Sequence, residues 1–254
     1  MIAALLCGRE GSVGFPGKNL YPVLGRPLMT YPMMAALHSP SIGRCYLSTD
    51  SGTYKDLGRQ HGFRIIDRPP HLATKEALGE DAFKHGYEVI RDELLAEGEN
   101  LELIVLLFCN AATISVDVIE RGIALLRSRP DLDSAVSVSA YNMWSPIRAR
   151  REMPDGTLQP FVPFEAMGLG PNINCDRDSQ GDVLYADMSV SIVRPRCLEH
   201  MEAGLLPQKW MGQRIGPIHQ WGGLDVDFEW QIPIVEFWLR KHGFDEENAP
   251  YPTL

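Results

Sequence analysis

Two short stretches of this 254-residue chain carry residue types suited to binding phosphate and a divalent cation. The first, "GREGSVGFPGKN" (8–19), has a glycine at every third position, together with Arg9 and Lys18. Glycines let backbone N–H groups approach a phosphate closely, and the two cations add charge-assisted hydrogen bonds to its oxygens. The second, "LDVDFE" (224–229), alternates acids with apolar residues. If it is a strand, its three carboxylates share one face, where they can bind Mg²⁺.

Each stretch also has a plainer interpretation. The glycine-rich stretch is not a P-loop, because Ser12 stands where that motif needs glycine and Asn19 where it needs Ser or Thr. It also lacks the dinucleotide fingerprint G-x-G-x-x-G, so a flexible surface loop remains an alternative. The plainer interpretation of the acidic stretch is that Asp227 caps the following helix and that the other acids form a solvated face. Capping explains one acid but not why two or three acids lie together, so we favour metal binding.

The elements that must position these residues alternate between strand and helix. Apolar runs predict strands, and helical spacing predicts helices between them. The predicted strands are 2–7, 44–51, 63–67, 102–109 and 133–140, and the predicted helices are 26–39, 52–62, 75–94 and 115–129. This order predicts an α/β fold, a Rossmann-like, mostly parallel sheet with helices on both faces and the very apolar run 102–109 at its centre. The glycine-rich stretch then follows the first strand at the carboxyl edge, where such sheets bind ligands.

The second half of the chain is less regular. We expect a single domain over 1–254 with an inserted subdomain at about 141–187, a stretch rich in Pro, Gly, Asn and Arg. After it, 183–195 reads as a strand, and 222–243 as a strand, a turn and a final helix. Two local details are also predicted: Thr30 and Ser115 cap the helices that begin at those residues.

Composition excludes several classes of protein. A net charge of −9 and a pI near 5.3 argue against a nucleic-acid-binding protein. Five scattered cysteines without a C-x-x-C pair predict a reducing, cytoplasmic location. The opening "MIAALLC" (1–7) is too short for a membrane span, so we expect no membrane association.

The motifs resemble those of the sugar-acid cytidylyltransferases, the CMP-sialate and CMP-Kdo synthetases. "REGSVGFPGKNL" (9–20) is similar to their R-G-G-S-K-G-I-P-x-K-N-L, and "LGRPL" (24–28) to the G-x-P-L that follows. Three later segments match in the family's order: "LSTDS" (47–51), "RPPHLAT" (68–74) and "GGLDVDFEWQIPIVE" (222–236).

The resemblance implies a homodimer with a protruding dimerisation subdomain, here about 141–187, that uses CTP and Mg²⁺. By position, Arg9 and Lys18 would hold the CTP phosphates, and Asp225 and Asp227 would hold the metal. The other nucleotide-binding positions would be Gly8, Gly11, Ser12, Asn19, Arg68 and Ala77.

Departures from the family concentrate at the acceptor end. Besides Val13, where the family often has lysine, "FCNAA" (108–112) replaces Q-P-T-S-P. In "YADMS" (185–189), Ala186 aligns with the arginine of R-x-N-G. Both of these segments lie where the sugar acid should sit. The predicted acceptor contacts are Asn110, Arg177 and Lys209.

The sequence therefore predicts a cytidylyltransferase that transfers CMP from CTP to an acidic acceptor and releases pyrophosphate. The favoured acceptor is a 2-keto-3-deoxy sugar acid of the sialic-acid or Kdo type, whose anomeric hydroxyl attacks the α-phosphorus. Arg9, Lys18, Asp225 and Asp227 would catalyse by positioning and charge neutralisation. Two alternatives remain: an enzyme that uses a phosphonate, a sugar phosphate or another NTP, and an inactive nucleotide-binding protein.

Overall fold

A seven-stranded mixed sheet forms the centre of the computed structural model, which describes residues 1–11, 14–168, 174, 176 and 181–251. Numbered in chain order over those residues, the strands are β1 (Ile2–Cys7), β2 (Pro22–Val23), β3 (Arg26–Pro27), β4 (Arg44–Thr49), β5 (Arg64–Asp67), β6 (Leu103–Phe108), β7 (Ser134–Ala140), β8 (Arg150–Glu152), β9 (Leu158–Pro160), β10 (Leu184–Val193) and β11 (Ile215–Gln220). The helices are α1 (Thr30–Leu37), α2 (Gly52–Gln60), α3 (Gly79–Ala96), α4 (Val116–Ser128), α5 (Pro195–Glu199) and α6 (Ile232–Lys241).

The strand order in the sheet is β11-β7-β10-β6-β1-β4-β5. All neighbouring pairs are parallel except those of β10, which runs antiparallel to both β6 and β7. β6 is the middle strand of the seven, as its continuous apolar run predicts. Because β1 and β6 are parallel and Cys7 pairs with Phe108, the loops that leave these strands emerge side by side at one edge.

Helices cover both faces of the sheet. Met33 of α1 and Ile119 of α4 pack with Leu6 on one face. Phe83 of α3 and Leu198 of α5 belong to the core of the other face. These two cores confirm the predicted α/β fold class. Over the described residues, no helix combines the length and the apolar character that crossing a membrane requires.

Several local predictions are corrected. The segment 222–228 contains no strand, and the strand β11, which sequence patterns did not predict, lies before it. Pro217 lies within β11, which is tolerated because β11 is an edge strand. Thr30 does not cap α1, since its hydroxyl donates to the carbonyl of Pro27 at 2.7 Å. Ser115 does cap α4, where its hydroxyl accepts from the N–H of Val118.

The stretch after β7 is irregular, as predicted. It contains the hairpin β8–β9 and short turns, and it exposes Met143, Trp144 and Phe161. Residues 184–187 of the predicted insertion belong to β10. The assignment of this stretch as a dimerisation subdomain stays a prediction.

Candidate active site

A cavity of about 250 Å³ lies where β1 and β6 end. It brings together seven of the residues predicted from sequence: Gly8, Arg9, Lys18, Asn19, Arg68, Ala77 and Asn110. Gly11 and Lys209 are not among its lining residues, and Ser12 and Arg177 lie outside the described part of the chain. The carboxyl edge of the sheet therefore carries a cavity with three cationic side chains, which suits an anionic ligand.

Gly8 and the turn 18–20 form one wall of this cavity. A Cβ at Gly8 would lie 2.3 Å from the Sγ of Cys109, so only glycine lets the two strand ends approach this closely. Gly17 has a φ of 75° and precedes a short 3-10 turn that buries Lys18 and Asn19. Over the described residues, the buried Oδ1 of Asn19 has no hydrogen-bond partner, which leaves an unsatisfied acceptor in a residue that lines the cavity.

Arg68 forms a second wall and is itself buried. Its guanidinium donates to the carbonyl of Ser48 at 2.8 Å and to the hydroxyl of Ser48 at 3.3 Å, which holds it in place. Burial raises the pKa of the nearby Cys7 thiol, although the Arg68 charge opposes the shift. Cys7 therefore stays protonated at neutral pH, which makes it a poor nucleophile.

Asp225 and Asp227 lie beside this cavity, each bound to a residue that lines it. The Nζ of Lys18 is 2.6 Å from an oxygen of Asp227, and the Nδ2 of Asn110 donates to Asp225 at 3.3 Å. Burial raises the pKa of Asp225, the Asp227 charge raises it further, and Lys18 partly offsets both. The Asp227 carboxylate thus pairs with a cation, and does not cap the following turn.

The predicted alternation of acids and apolar residues is right only in part. Leu224 and Val226, which directly precede Asp225 and Asp227, are both buried, as expected. Phe228 is 51% exposed, however, and Glu229 lies in a 3-10 turn. Among the described residues, no group of three His, Cys, Asp or Glu side chains is placed to hold a metal, so Glu229 does not complete a triad.

The acceptor candidates have other contacts. The Nδ2 of Asn110 also donates to the carbonyl of Val226 at 3.0 Å. Lys209 lies 4.0 Å from Glu80 at the start of α3. The neighbouring Trp210 is buried and packs against Phe83, with the ring centroids 5.4 Å apart.

The sequence patterns did not point to Thr113, Ser139 or Asp187. All three are buried polar residues whose hydrogen bonds connect the sheet to the segment before Asp225. Ser139 and Asp187 are isolated polar residues inside apolar strands, and Thr113 lies in the loop after β6; this is the signal that the sequence offered, because buried polar side chains need partners.

The fold and the cavity together define a class, the α/β chains of the nucleotide-diphospho-sugar transferase type. A solved structure titled CMP:2-keto-3-deoxy-manno-octonic acid synthetase complexed with CTP superposes with a TM-score of 0.64 over 94% of this chain and 98% of that one. A 4-diphosphocytidyl-2C-methyl-D-erythritol synthase from Anaerococcus prevotii gives a TM-score of 0.60 over 94% of this chain and 96% of the other. At 15% and 11% identity, both comparisons establish the fold alone.

Sequence comparisons find similarity to cytidylyltransferases over part of the chain. Residues 3–90 match the model of the cytidylyltransferase family. The N-acylneuraminate cytidylyltransferase of Escherichia coli is 32% identical over 91 residues, which are 36% of this chain and 22% of that protein. The 8-amino-3,8-dideoxy-manno-octulosonate cytidylyltransferase of Shewanella woodyi is 23% identical over 134 residues, 47% of this chain and 55% of that protein. The chain thus spans about a fifth to a half of these relatives. The resemblance to the sugar-acid cytidylyltransferases is confirmed, and the family model matches the N-terminal third of the chain.

Proposed function

We propose that this chain transfers CMP from CTP to an acidic sugar and releases pyrophosphate, with a 2-keto-3-deoxy sugar acid as the favoured acceptor. The observation that carries the proposal is the convergence of Arg9, Lys18 and Arg68 on one cavity, with Asp225 and Asp227 beside it. The cations match a triphosphate, and the carboxylates can bind its metal. The relatives named as acting on sugar acids support the choice of acceptor.

The chain's own residues would position the nucleotide and neutralise its charge. Lys18 lines the cavity and also reaches Asp227, so it lies between the phosphate region and the carboxylates. Arg9 and the backbone at Gly8 would bind phosphate oxygens. The unpartnered Oδ1 of Asn19 would accept from a ribose hydroxyl. With these groups fixed, an acceptor hydroxyl in line with the α-phosphorus can displace pyrophosphate.

The donor set fits Mg²⁺. Asp225 and Asp227 offer hard oxygen ligands, and two carboxylates completed by phosphate oxygens and water are typical of protein-bound Mg²⁺. Burial and then the charge of Asp227 raise the pKa of Asp225, and Lys18 offsets them only in part, so a divalent cation would supply the missing positive charge. When bound, the metal would stabilise the charge of the leaving pyrophosphate.

Two further features stay proposals. The resemblance implies a homodimer, and the exposed side chains of the insertion support it. A cytoplasmic location is supported by Cys7, Cys45, Cys109 and Cys197, which are buried free thiols.

Pyrophosphate release from CTP, measured with and without Mg²⁺ over a panel of acceptors, tests the proposal. We expect release with 2-keto-3-deoxy sugar acids and none with sugar phosphates or phosphonates. Lys18→Gln should reduce the rate about 100-fold or more, since it removes a charge at the reacting phosphates. Lys84→Gln is the matched control, because Lys84 is exposed on α3. Release with phosphonates alone, or CTP binding without turnover on any acceptor, would contradict the proposed reaction.

A further inference from the structure

The carboxylate of Asp187 is buried in the sheet, with only 5% of the residue exposed. Four donors surround it: the hydroxyls of Ser137 (2.5 Å) and Ser139 (2.7 Å), the Nε2 of Gln220 (2.9 Å) and the N–H of Ser189 (3.1 Å). Over the described residues, all of these donors are uncharged. A buried carboxylate is costly unless it is fully hydrogen-bonded, so this site is built around the acid.

Ser139 transmits this arrangement to the segment that carries the active-site acids. A serine hydroxyl has one hydrogen, and Ser139 gives it to Asp187. Its oxygen is therefore directed to accept, and it accepts the N–H of Gly223 at 3.0 Å. A Cβ at Gly223 would lie 2.2 Å from the Oδ2 of Asp187, so the acid and the glycine backbone are in direct contact. Gly223 is two residues before Asp225.

The same segment is held by side chains at its other backbone groups. The hydroxyl of Tyr141 donates to the carbonyl of Gly223 at 2.9 Å. The hydroxyl of Thr113 accepts from the N–H of Leu224 at 2.8 Å and donates to its carbonyl at 3.0 Å. Burial raises the pKa of Tyr141 to about 12, so its phenol stays a donor at neutral pH. Since 222–227 forms no strand, these contacts take the place of a ladder.

We propose that Asp187 is a positioning residue for Asp225 and Asp227. By orienting the hydroxyl of Ser139, it fixes Gly223 and hence the two carboxylates that follow, which sets the affinity for the divalent cation. This inference rests on the proposed metal-binding role of Asp225 and Asp227. Asp187 belongs to the divergent segment "YADMS" (185–189), so the proposal assigns this segment a role in positioning the metal-binding carboxylates.

Asp187→Asn is the central test, because it keeps the size of the side chain and replaces one acceptor oxygen by a donor. That NH₂ group would face the donors around Asp187, so Ser139 would lose its fixed orientation. We expect Mn²⁺, titrated by electron paramagnetic resonance with CTP present, to bind at least about tenfold more weakly, as for other residues that support metal ligands. Hydrogen exchange in the peptide 221–227 should also be faster than in the native chain.

Two further variants separate positioning from general stability. Ser139→Ala removes the link and leaves Asp187 its other donors, so it should weaken Mn²⁺ binding and speed exchange in the same way. Ser134→Ala is the structural control, since that buried β7 hydroxyl donates to the carbonyl of Met211, away from the site. Ser134→Ala should lower Tm and leave both the Mn²⁺ affinity and the hydrogen exchange of 221–227 unchanged.

The outcomes distinguish this proposal from the proposed function. The positioning proposal is overturned if Asp187→Asn and Ser139→Ala both keep the native Mn²⁺ affinity and the native exchange rate in 221–227. It is also overturned if Ser134→Ala weakens Mn²⁺ binding and speeds this exchange as much as they do. If the native chain neither binds Mn²⁺ nor turns over CTP, the proposed function fails. Exchange in 221–227 then still decides whether Asp187 positions the segment.

Discussion

At the scale of single residues, Asp225 shows a conflict between stability and chemistry. Burial and the charge of Asp227 raise its pKa, because both disfavour the ionised form. A carboxyl whose folded pKa exceeds its unfolded value contributes stability below the unfolded pKa. That contribution is lost as the pH rises through the folded pKa. At neutral pH, the ionised Asp225 therefore destabilises the metal-free chain.

The first prediction follows from the destabilising effect of the ionised Asp225 carboxylate. Asp225→Asn should raise the Tm of the metal-free protein at pH 7 and abolish its metal-dependent turnover. At about pH 3.5, below the ordinary aspartate pKa, native Asp225 is itself protonated and the gain should vanish. Calorimetry at both pH values measures this difference. Asp227→Asn is the comparison and should give a smaller gain, because it removes the like charge beside Asp225 but also the ion pair with Lys18, and Asp227 itself is exposed. A lower Tm for Asp225→Asn at pH 7 would contradict the argument.

Gly8 supplies a second residue-scale prediction. Gly8→Ala should destabilise the chain by about 1–3 kcal/mol, because the new methyl would overlap the Sγ of Cys109. Adding Cys109→Ala removes that sulfur, so the double variant should lose less than the sum of the single losses. Urea unfolding measures these free energies. Gly79→Ala is the matched control, since Gly79 also lines the cavity and has open space at its Cβ position. Equal losses at both glycines would falsify the close-approach argument.

At the scale of elements, the segment 222–227 depends on side chains from the sheet. Thr113→Val keeps the shape of the side chain and leaves the buried N–H and carbonyl of Leu224 without partners. We expect a loss of about 2–4 kcal/mol in the free energy of unfolding, since each such group costs about 1–3 kcal/mol. Chemical denaturation of Thr113→Val and Thr113→Ser tests this, because Ser keeps the hydroxyl. The prediction fails if the two variants unfold at the same denaturant concentration.

Elements defined by their own sequence were predictable, whereas those defined by distant partners were not. β1 and β6 are continuous apolar runs buried on both faces, and their patterns predicted their bounds closely. β11 was missed because Gly216 and Pro217 interrupt it, and it is a strand only through pairing with β7. The segment 222–227 alternates like a strand, but its backbone is held by side chains.

The same division applies to the candidate site. Arg9 and Lys18 are predictable because they follow β1, which ends at the ligand-binding edge of the sheet, whereas Arg68 was predicted from the family resemblance. Asp187 was not predictable, since its four donors come from three separate strands and only the folded chain brings them together.

At the scale of the whole molecule, the insertion presents an apolar surface. Leu158 on β9 is 65% exposed and Phe161, close behind it, is 56% exposed. Neighbouring apolar side chains exposed to this degree are typical of a contact surface, and a second copy of this chain is the partner that the family resemblance implies. Among the described residues, those that line the cavity all precede position 111, so the described part of the insertion contributes none of them.

The exposed side chains of Leu158 and Phe161 belong to the insertion, and the described cavity lining does not. We therefore predict that a variant can lose dimer assembly and keep nucleotide binding. The double variant Leu158→Glu, Phe161→Glu should shift the dimer to monomer, because it places buried charges in the proposed contact. It should still bind CTP within about threefold of the native affinity, since neither Leu158 nor Phe161 lines the cavity. Sedimentation velocity over a concentration series and CTP titration measure the two properties. Leu95→Glu, at an exposed position of α3 outside the insertion, should stay dimeric. A native chain that is monomeric at every concentration, or a double variant that remains dimeric, would exclude this surface as the dimer contact.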